Sequence, residues 1–140
     1  MPQTADRRTL ETVARAWIAL WRTPVDWETF DELHADDFED GSAAGRPATK
    51  QGFAAGLETF AAAFPDLRTE VVDLVVDESA ARVAVRWRAE GTNRIAYLGI
   101  GPTHRRTVIA GIEILEIRGH QLVRRWGEWD ITAHREGQPS

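Results

Sequence analysis

Hydrophobic periodicity changes once along these 140 residues, at Phe64-Pro65-Asp66. Before that point apolar side chains recur every three or four positions; after it they alternate. Leu10, Val13, Ala14, Trp17, Leu20 and Trp21 form one stripe, because residues three and four apart share a face of a helix. Pro24 ends that helix, since proline has no amide to continue the ladder. Asp26 is placed to cap a short second helix carrying Trp27, Phe30 and Leu33. Thr49 is placed to cap a third, with Phe53, Leu57, Phe60 and Phe64 on its stripe. The polar, glycine-containing segment 36–47 reads as a loop with room for a short hairpin.

Past the switch, segments 68–76, 82–92, 105–118 and 121–131 are rich in Val, Ile and Trp and read as strands. The breaks at Asp77-Glu78-Ser79-Ala80 and Gly119-His120 are short enough for hairpins. The break at 93–104 is longer and holds Tyr97. Helices followed by an antiparallel meander predict an α+β fold, with the helices packed on one face of a curved sheet. The length suits a single domain spanning 1–140. A sheet curled around helices leaves a conical cavity at its open end.

Composition removes whole classes of chemistry. There is no cysteine, and Lys50 is the only lysine, at a helix start. Serine occurs only at 42, 79 and 140, never in a Gly-x-Ser-x-Gly elbow. Asp, Glu, His, Tyr97 and water remain as reactive groups. The net charge of -5 argues against a nucleic-acid partner, which selects a basic surface. No apolar run approaches the ~18 residues of a membrane span, and the first six residues lack signal-peptide character. A cytoplasmic protein without membrane contact is expected. His34 has no partner at ligand spacing, so no metal is expected. Gly99-Ile100-Gly101-Pro102 is not followed by a helix, so no dinucleotide cofactor is expected either.

The closing run Leu122–Asp130 alternates, which puts Trp126, Glu128 and Asp130 on one face. A two-residue turn at Gly119-His120 would set Glu113 opposite Trp126, Gly111 opposite Glu128, and Ile109 opposite Asp130. On that register Glu113, Trp126, Glu128 and Asp130 share a face, and Gly111 leaves space beside Glu128. Carboxylates held among indoles lose hydration, which raises their pKa toward the range of acid/base work. The competing arrangement pairs these acids with Arg86, Arg88 or Arg124 across the sheet, and a single-residue bulge would invert the whole assignment. Trp87 alternates with Val83, Val85 and Ala89 and reads as core or cavity wall. His34 and Tyr97 are candidate hydrogen-bonding groups of a pocket.

Four segments together carry a family resemblance. They are Phe64-Pro65-Asp66-Leu67; Gly91-Thr92 with Leu98-Gly99-Ile100-Gly101-Pro102-Thr103; Gly111-Ile112-Glu113-Ile114-Leu115-Glu116-Ile117; and Trp126 with Asp130. They resemble the SnoaL-like polyketide cyclases of the NTF2-like superfamily, from about the first helix through Asp130. The resemblance implies an α+β cone, usually dimeric, that closes polyketide rings by intramolecular aldol condensation without metal or cofactor. It also implies that the aspartate near the end of the last strand, here Asp130, is the acid/base. Two positions depart from the family pattern. Asp40-Gly41 stands where many relatives carry histidine, and Gly91-Thr92-Asn93 where many have Gly-Thr-His.

The expectation is a cofactor-independent enzyme acting on a hydrophobic carbonyl compound. Asp130 would remove an α-proton, and His34 or Tyr97 would polarise the carbonyl. Phe30, Phe60, Trp87 and Trp126 would line the cavity, with Glu113 and Glu128 on its wall. One alternative on the same scaffold is epoxide opening by water held between Asp130 and Glu113 bridged by Arg88. Another is a non-catalytic module for small-molecule binding or dimerisation. A homodimer is expected through the outward face bearing Arg82, Ala84, Arg86, Arg88 and Glu90.

Overall fold

Each helix starts on a polar cap. Asp6 accepts from the Thr9 amide at 2.8 Å, Asp26 from that of Thr29 at 3.1 Å, and the Thr49 hydroxyl from that of Gly52 at 3.1 Å. These bonds satisfy amides that a helix N-terminus leaves without partners. The computed structural model describes residues 6–99 and 101–130, so the expected strand end at Ile131 lies outside the described residues. The elements are α1 (Arg7–Ala19), α2 (Trp27–Leu33), β1 (His34–Asp40), α3 (Lys50–Ala63), β2 (Arg68–Asp77), β3 (Arg82–Thr92), β4 (Arg106–Arg118) and β5 (Gln121–Asp130).

The helices cover one face of a five-stranded sheet of order β1-β5-β4-β3-β2. Three of its four pairings are antiparallel, and β1 runs parallel to β5. This is the α+β architecture that the two hydrophobic periods predict. Buried Leu10, Val13, Ala14 and Trp17 of α1, with Phe53, Leu57 and Phe60 of α3, meet Val83, Val85, Trp87 and Ala89 of β3 in one core. Trp21 stands edge-on to Trp17, Phe53, Phe60 and Trp129, with ring centroids 5.4 to 5.7 Å apart. Leu20 and Trp21 lie beyond α1, which stops at Ala19 ahead of Pro24, yet both are buried as their place on the stripe predicts.

Two expectations need correction. The first is segment 36–47, part of which forms the end of β1. Its residues are mostly acidic, and acids are depleted in strands, but pairing along β5 supplies the missing hydrogen bonds. His34, Ala35, Phe38 and Asp40 point inward while Asp36, Asp37 and Glu39 stay in solvent.

The second is the register of β5. The hairpin begins as expected, with Arg118 opposite Gln121 and Ile117 opposite Leu122. Glu116 then pairs with Arg124, so β5 carries one extra residue at Val123. From there Glu113 faces Gly127, Gly111 faces Trp129, and Ala110 faces Asp130. A bulge of one residue exchanges the two faces of every following position. Arg125, Gly127 and Trp129 therefore turn inward, and Trp126, Glu128 and Asp130 turn outward beside Ile112 and Ile114. Electrostatics favour this outcome. Glu113 is buried by its place opposite Val85, and the unbulged register would bring two further carboxylates, Glu128 and Asp130, to its face against the single guanidinium of Arg124. The bulge supplies a guanidinium and an indole donor and keeps those two acids out, and a buried charge is tolerable only when so paired. Gly111 makes room for Trp87 rather than Glu128, since a Cβ there would meet the indole at 2.6 Å.

Candidate functional site

The inward turn of Arg125 builds a buried polar cluster. Arg125 Nε and Nη2 donate to Glu113 Oε1 at 3.1 and 2.7 Å, and Nη1 donates to Asp40 Oδ1 at 2.8 Å. The indoles of Trp87 and Trp129 donate to Glu113 Oε2 at 3.1 and 3.0 Å. Asp40 also accepts from Arg46 Nη2 at 2.8 Å and from the Ser42 amide at 3.0 Å. All three members are nearly sealed from water, with Asp40, Glu113 and Arg125 at 3%, 1% and 4% exposure. The arrangement is two carboxylates bridged by one arginine.

Burial pushes the Glu113 carboxyl up, while Arg125 and the two indole donors pull against it. Burial acts on Asp40 in the same sense, but Arg125, the Ser42 amide and Arg46 win and hold it below the usual carboxylate range. The difference follows from burial depth and donor charge: among the described residues Asp40 has two cations within hydrogen-bond reach and Glu113 one.

Above the cluster lies a cavity of about 220 Å³. Its apolar walls are Trp21, Phe53, Leu57, Tyr97, Leu98 and Trp129, and its polar surface comes from Ser42, Arg46 and Arg125. Gly127 lies on the wall, and a Cβ there would collide with both Glu113 oxygens and with Arg125 Nη2. The missing side chain lets the carboxylate come up against the cavity. Burial pushes the Tyr97 phenol up, so it stays protonated and able to donate.

Of the residues expected from sequence, Tyr97 lines this cavity. Phe60 and Trp87 stand behind its wall, with Phe60 packed on Trp129 and Tyr97 at 5.0 and 5.1 Å. Glu113 sits behind Gly127. Phe30 and His34 pack against Phe53 and do not reach the lining. Trp126, Glu128 and Asp130 lie on the other side of the sheet. Glu128 and Asp130 are exposed and border a depression with Val72, Arg86, Arg88, Val108 and Ile112. Trp126 lies between the Arg82 and Arg124 guanidinium groups, 5.3 and 5.6 Å from its ring centroid. Asp40, Ser42, Arg46 and Arg125 were not among the expected site residues. Asp40 carried one signal, its departure from the family pattern; inward Arg125 carried none, because Arg124 precedes it and only the bulge chooses between them.

His34 has both ring nitrogens in use. Nε2 accepts from the Trp17 indole at 3.0 Å, and Nδ1 lies 2.7 Å from the Phe30 carbonyl, to which it donates in the neutral tautomer. Desolvation pushes its pKa from the ordinary 6.5 down to about 4. A depressed histidine pKa means that the unfolded chain binds a proton the folded one refuses. Stability should therefore fall by about 2 kcal/mol as pH drops from 6.5 to 5, levelling off below the folded value. Urea unfolding at several pH values reads this, and His34→Gln should flatten the slope; an unchanged slope in the variant would reject the assignment. Lys50 is likewise occupied, donating to the Asp31 and His34 carbonyls at the end of α2 at 3.1 and 2.9 Å.

Among the described residues, no three His, Asp or Glu side chains gather as a metal-ligand set, and no helix is long and apolar enough to cross a membrane. A family model for SnoaL-like polyketide cyclases matches residues 11–136, and the chain belongs to that family. Among solved structures it is similar to TsrD from Streptomyces laurentii, at 20% identity and a TM-score of 0.83, over 95% of this chain and 96% of that one. It is also similar to a SnoaL-like polyketide cyclase from Agrobacterium tumefaciens, at 24% identity and a TM-score of 0.73, over 91% and 95% of the two chains. IdmH from Streptomyces antibioticus is similar at 25% identity and a TM-score of 0.75, over 91% and 96%. No curated protein matches the chain.

Proposed function

We propose that the protein is a cofactor-independent acid/base enzyme that closes a ring in a hydrophobic carbonyl compound by intramolecular aldol condensation, in the cavity above Arg125. The observation that carries this reading is the apolar, aromatic cavity seated on a carboxylate–arginine–carboxylate cluster. Apolar walls with a few fixed polar groups are the usual form of a small-molecule site. Glu113, reached past Gly127, takes the α-proton; the enolate carbon attacks the second carbonyl carbon, and the proton returns to the new alkoxide. Arg125 and Tyr97 supply the positive potential and the donor on which the negative oxygen is stabilised. The rival acid/base is Asp130, which the family resemblance implies, working from the outward depression.

The same cluster favours a second reaction. Epoxide opening needs a water activated by carboxylates bridged through arginine, and Asp40, Arg125 and Glu113 have that arrangement in place of the expected Asp130, Arg88 and Glu113. Running the reaction in oxygen-18 water separates the two. A diol carrying one solvent oxygen marks epoxide opening, while a cyclised product whose new carbon–carbon bond forms without added water marks aldol closure. Neither product from a panel of diketones and epoxides would leave a binding module and overturn the enzyme reading.

We also propose a homodimer through the outward sheet face. Val72, Val75, Ile112 and Ile114 are 42% to 64% exposed there, a larger apolar display than a lone subunit usually keeps. Arg82, Arg86 and Arg88 alternate with Glu70, Glu90 and Glu116 around them, so a two-fold copy can match charge to charge. Sedimentation should show a dimer at micromolar concentration and a monomer for Ile112→Lys; a monomeric wild type would overturn the proposal.

A further inference from the structure

The segment between β1 and α3 brings Arg46 over the cavity wall. Its Nη2 is held by Asp40, but its Nε is buried and has no hydrogen-bond partner among the described residues. Buried donors in folded proteins nearly always find an acceptor, so one left over at a cavity wall marks where a ligand atom belongs. Gly56 on α3 makes this position possible: a Cβ there would stand 2.9 Å from Nε and 3.0 Å from Cζ. Arg46 and Gly56 both line the cavity. Arg125, the other cation on the wall, is already committed to Glu113, Asp40 and the Ser42 carbonyl.

Charge decides what kind of acceptor fits. Two arginines and two carboxylates, Arg46, Arg125, Asp40 and Glu113, already form a joined ion-pair set. A further anion would enter without a counter-charge, and burying an unpaired charge is costly. A neutral acceptor oxygen takes the Nε hydrogen bond without that cost. We propose that Arg46 is a specificity-determining residue, whose Nε–H receives a carbonyl oxygen of a neutral, aromatic ketone or ester bound in the cavity. The inference rests on this cavity being the substrate site and deepens that reading by naming the group bound at its Arg46 side.

The test uses three probes on the whole protein by calorimetry: 2-acetonaphthone, its oxygen-free counterpart 2-isopropenylnaphthalene, and 2-naphthoate. The ketone should bind about tenfold tighter than the hydrocarbon, the weight of one hydrogen bond to a charged donor. The carboxylate should bind no tighter than the ketone. Arg46→Met should erase the ketone's advantage and leave hydrocarbon binding unchanged. Gly56→Ala keeps the arginine and favours the helix, so folding is preserved while the new Cβ displaces Nε; the advantage should shrink there too. A ketone advantage that survives both variants, a preference for the carboxylate, or no binding of any probe would each overturn the proposal. Binding of the probes does not depend on turnover. Loss of the enzyme reading with the ketone preference intact would leave Arg46 in a binding site, and the reverse result would remove Arg46 alone.

Discussion

Replacing Arg125 by methionine should destabilise the fold by about 3–5 kcal/mol, the cost of stripping a cation from a buried ion pair. Methionine fills much of the same volume, so the loss comes from charge and not from a void. Glu113 would keep only its two indole donors, and Asp40 only Arg46 and the Ser42 amide. The guanidinium also stacks over Phe53, at 5.2 Å from its ring centroid. The loss should be largest near neutral pH and should shrink in acid, where the stranded carboxylates take up protons. Denaturant unfolding of the two proteins at pH 7 and pH 5 checks both statements. A change below about 1 kcal/mol at pH 7 would place Arg125 among surface ion pairs, whose worth is that small.

Turnover should fall by about 10²–10⁴-fold in Glu113→Gln, the usual contribution of a general acid/base. The substitution also turns a carboxylate oxygen into an NH₂ facing donors, at a cost of about 1–3 kcal/mol in stability. Activity is therefore compared below the melting range of the variant, with 2-acetonaphthone binding as the sign that the cavity is intact. Asp130→Asn makes the control. On the exposed outward face it should leave stability within about 0.5 kcal/mol and turnover near wild type. A 10²-fold loss in Asp130→Asn with an active Glu113→Gln would move the chemistry to the outward depression and restore Asp130 as the acid/base.

The contrast between those two residues shows where sequence reasoning succeeds and where it stops. Helix stripes, caps at Asp26 and Thr49, and the ends of β2, β3 and β4 follow from periodicity and turn chemistry, which are local. Asp66 makes a longer-range tie, accepting from the Thr92 amide and hydroxyl to join the start of β2 to the end of β3. The site depends on Val123, where nothing in the residue types announces an extra position. Parity after that point is settled by burial of Glu113 and by the reach of Arg125 to Asp40, a contact spanning most of the chain. Strand β1 was illegible for a related reason. Its acids read as loop, and only the presence of β5 as a parallel neighbour makes the segment extended. Tyr97 was legible because it is the sole tyrosine in a long break; Arg46 was not, because its position depends on the bare backbone of Gly56.

The bulge at Val123 gives this scaffold an unusual evolutionary lever. Positions 124 to 130 fall into two alternating sets, Arg125, Gly127 and Trp129 inward, and Arg124, Trp126, Glu128 and Asp130 outward. Closing the bulge at constant length would exchange the sets without changing any residue type, whereas deleting Val123 would leave Glu116 opposite Arg124 and both sets where they are. With the bulge closed the interior would receive Arg124, Trp126, Glu128 and Asp130, and Arg125 and Trp129 would go to solvent. Two relatives of equal hairpin length can therefore differ in which set faces the interior through the bulge alone, a difference that position-by-position comparison of residues would not see. In an engineered library, the turn and bulge at 119–123 are the positions to vary before any side chain of the site.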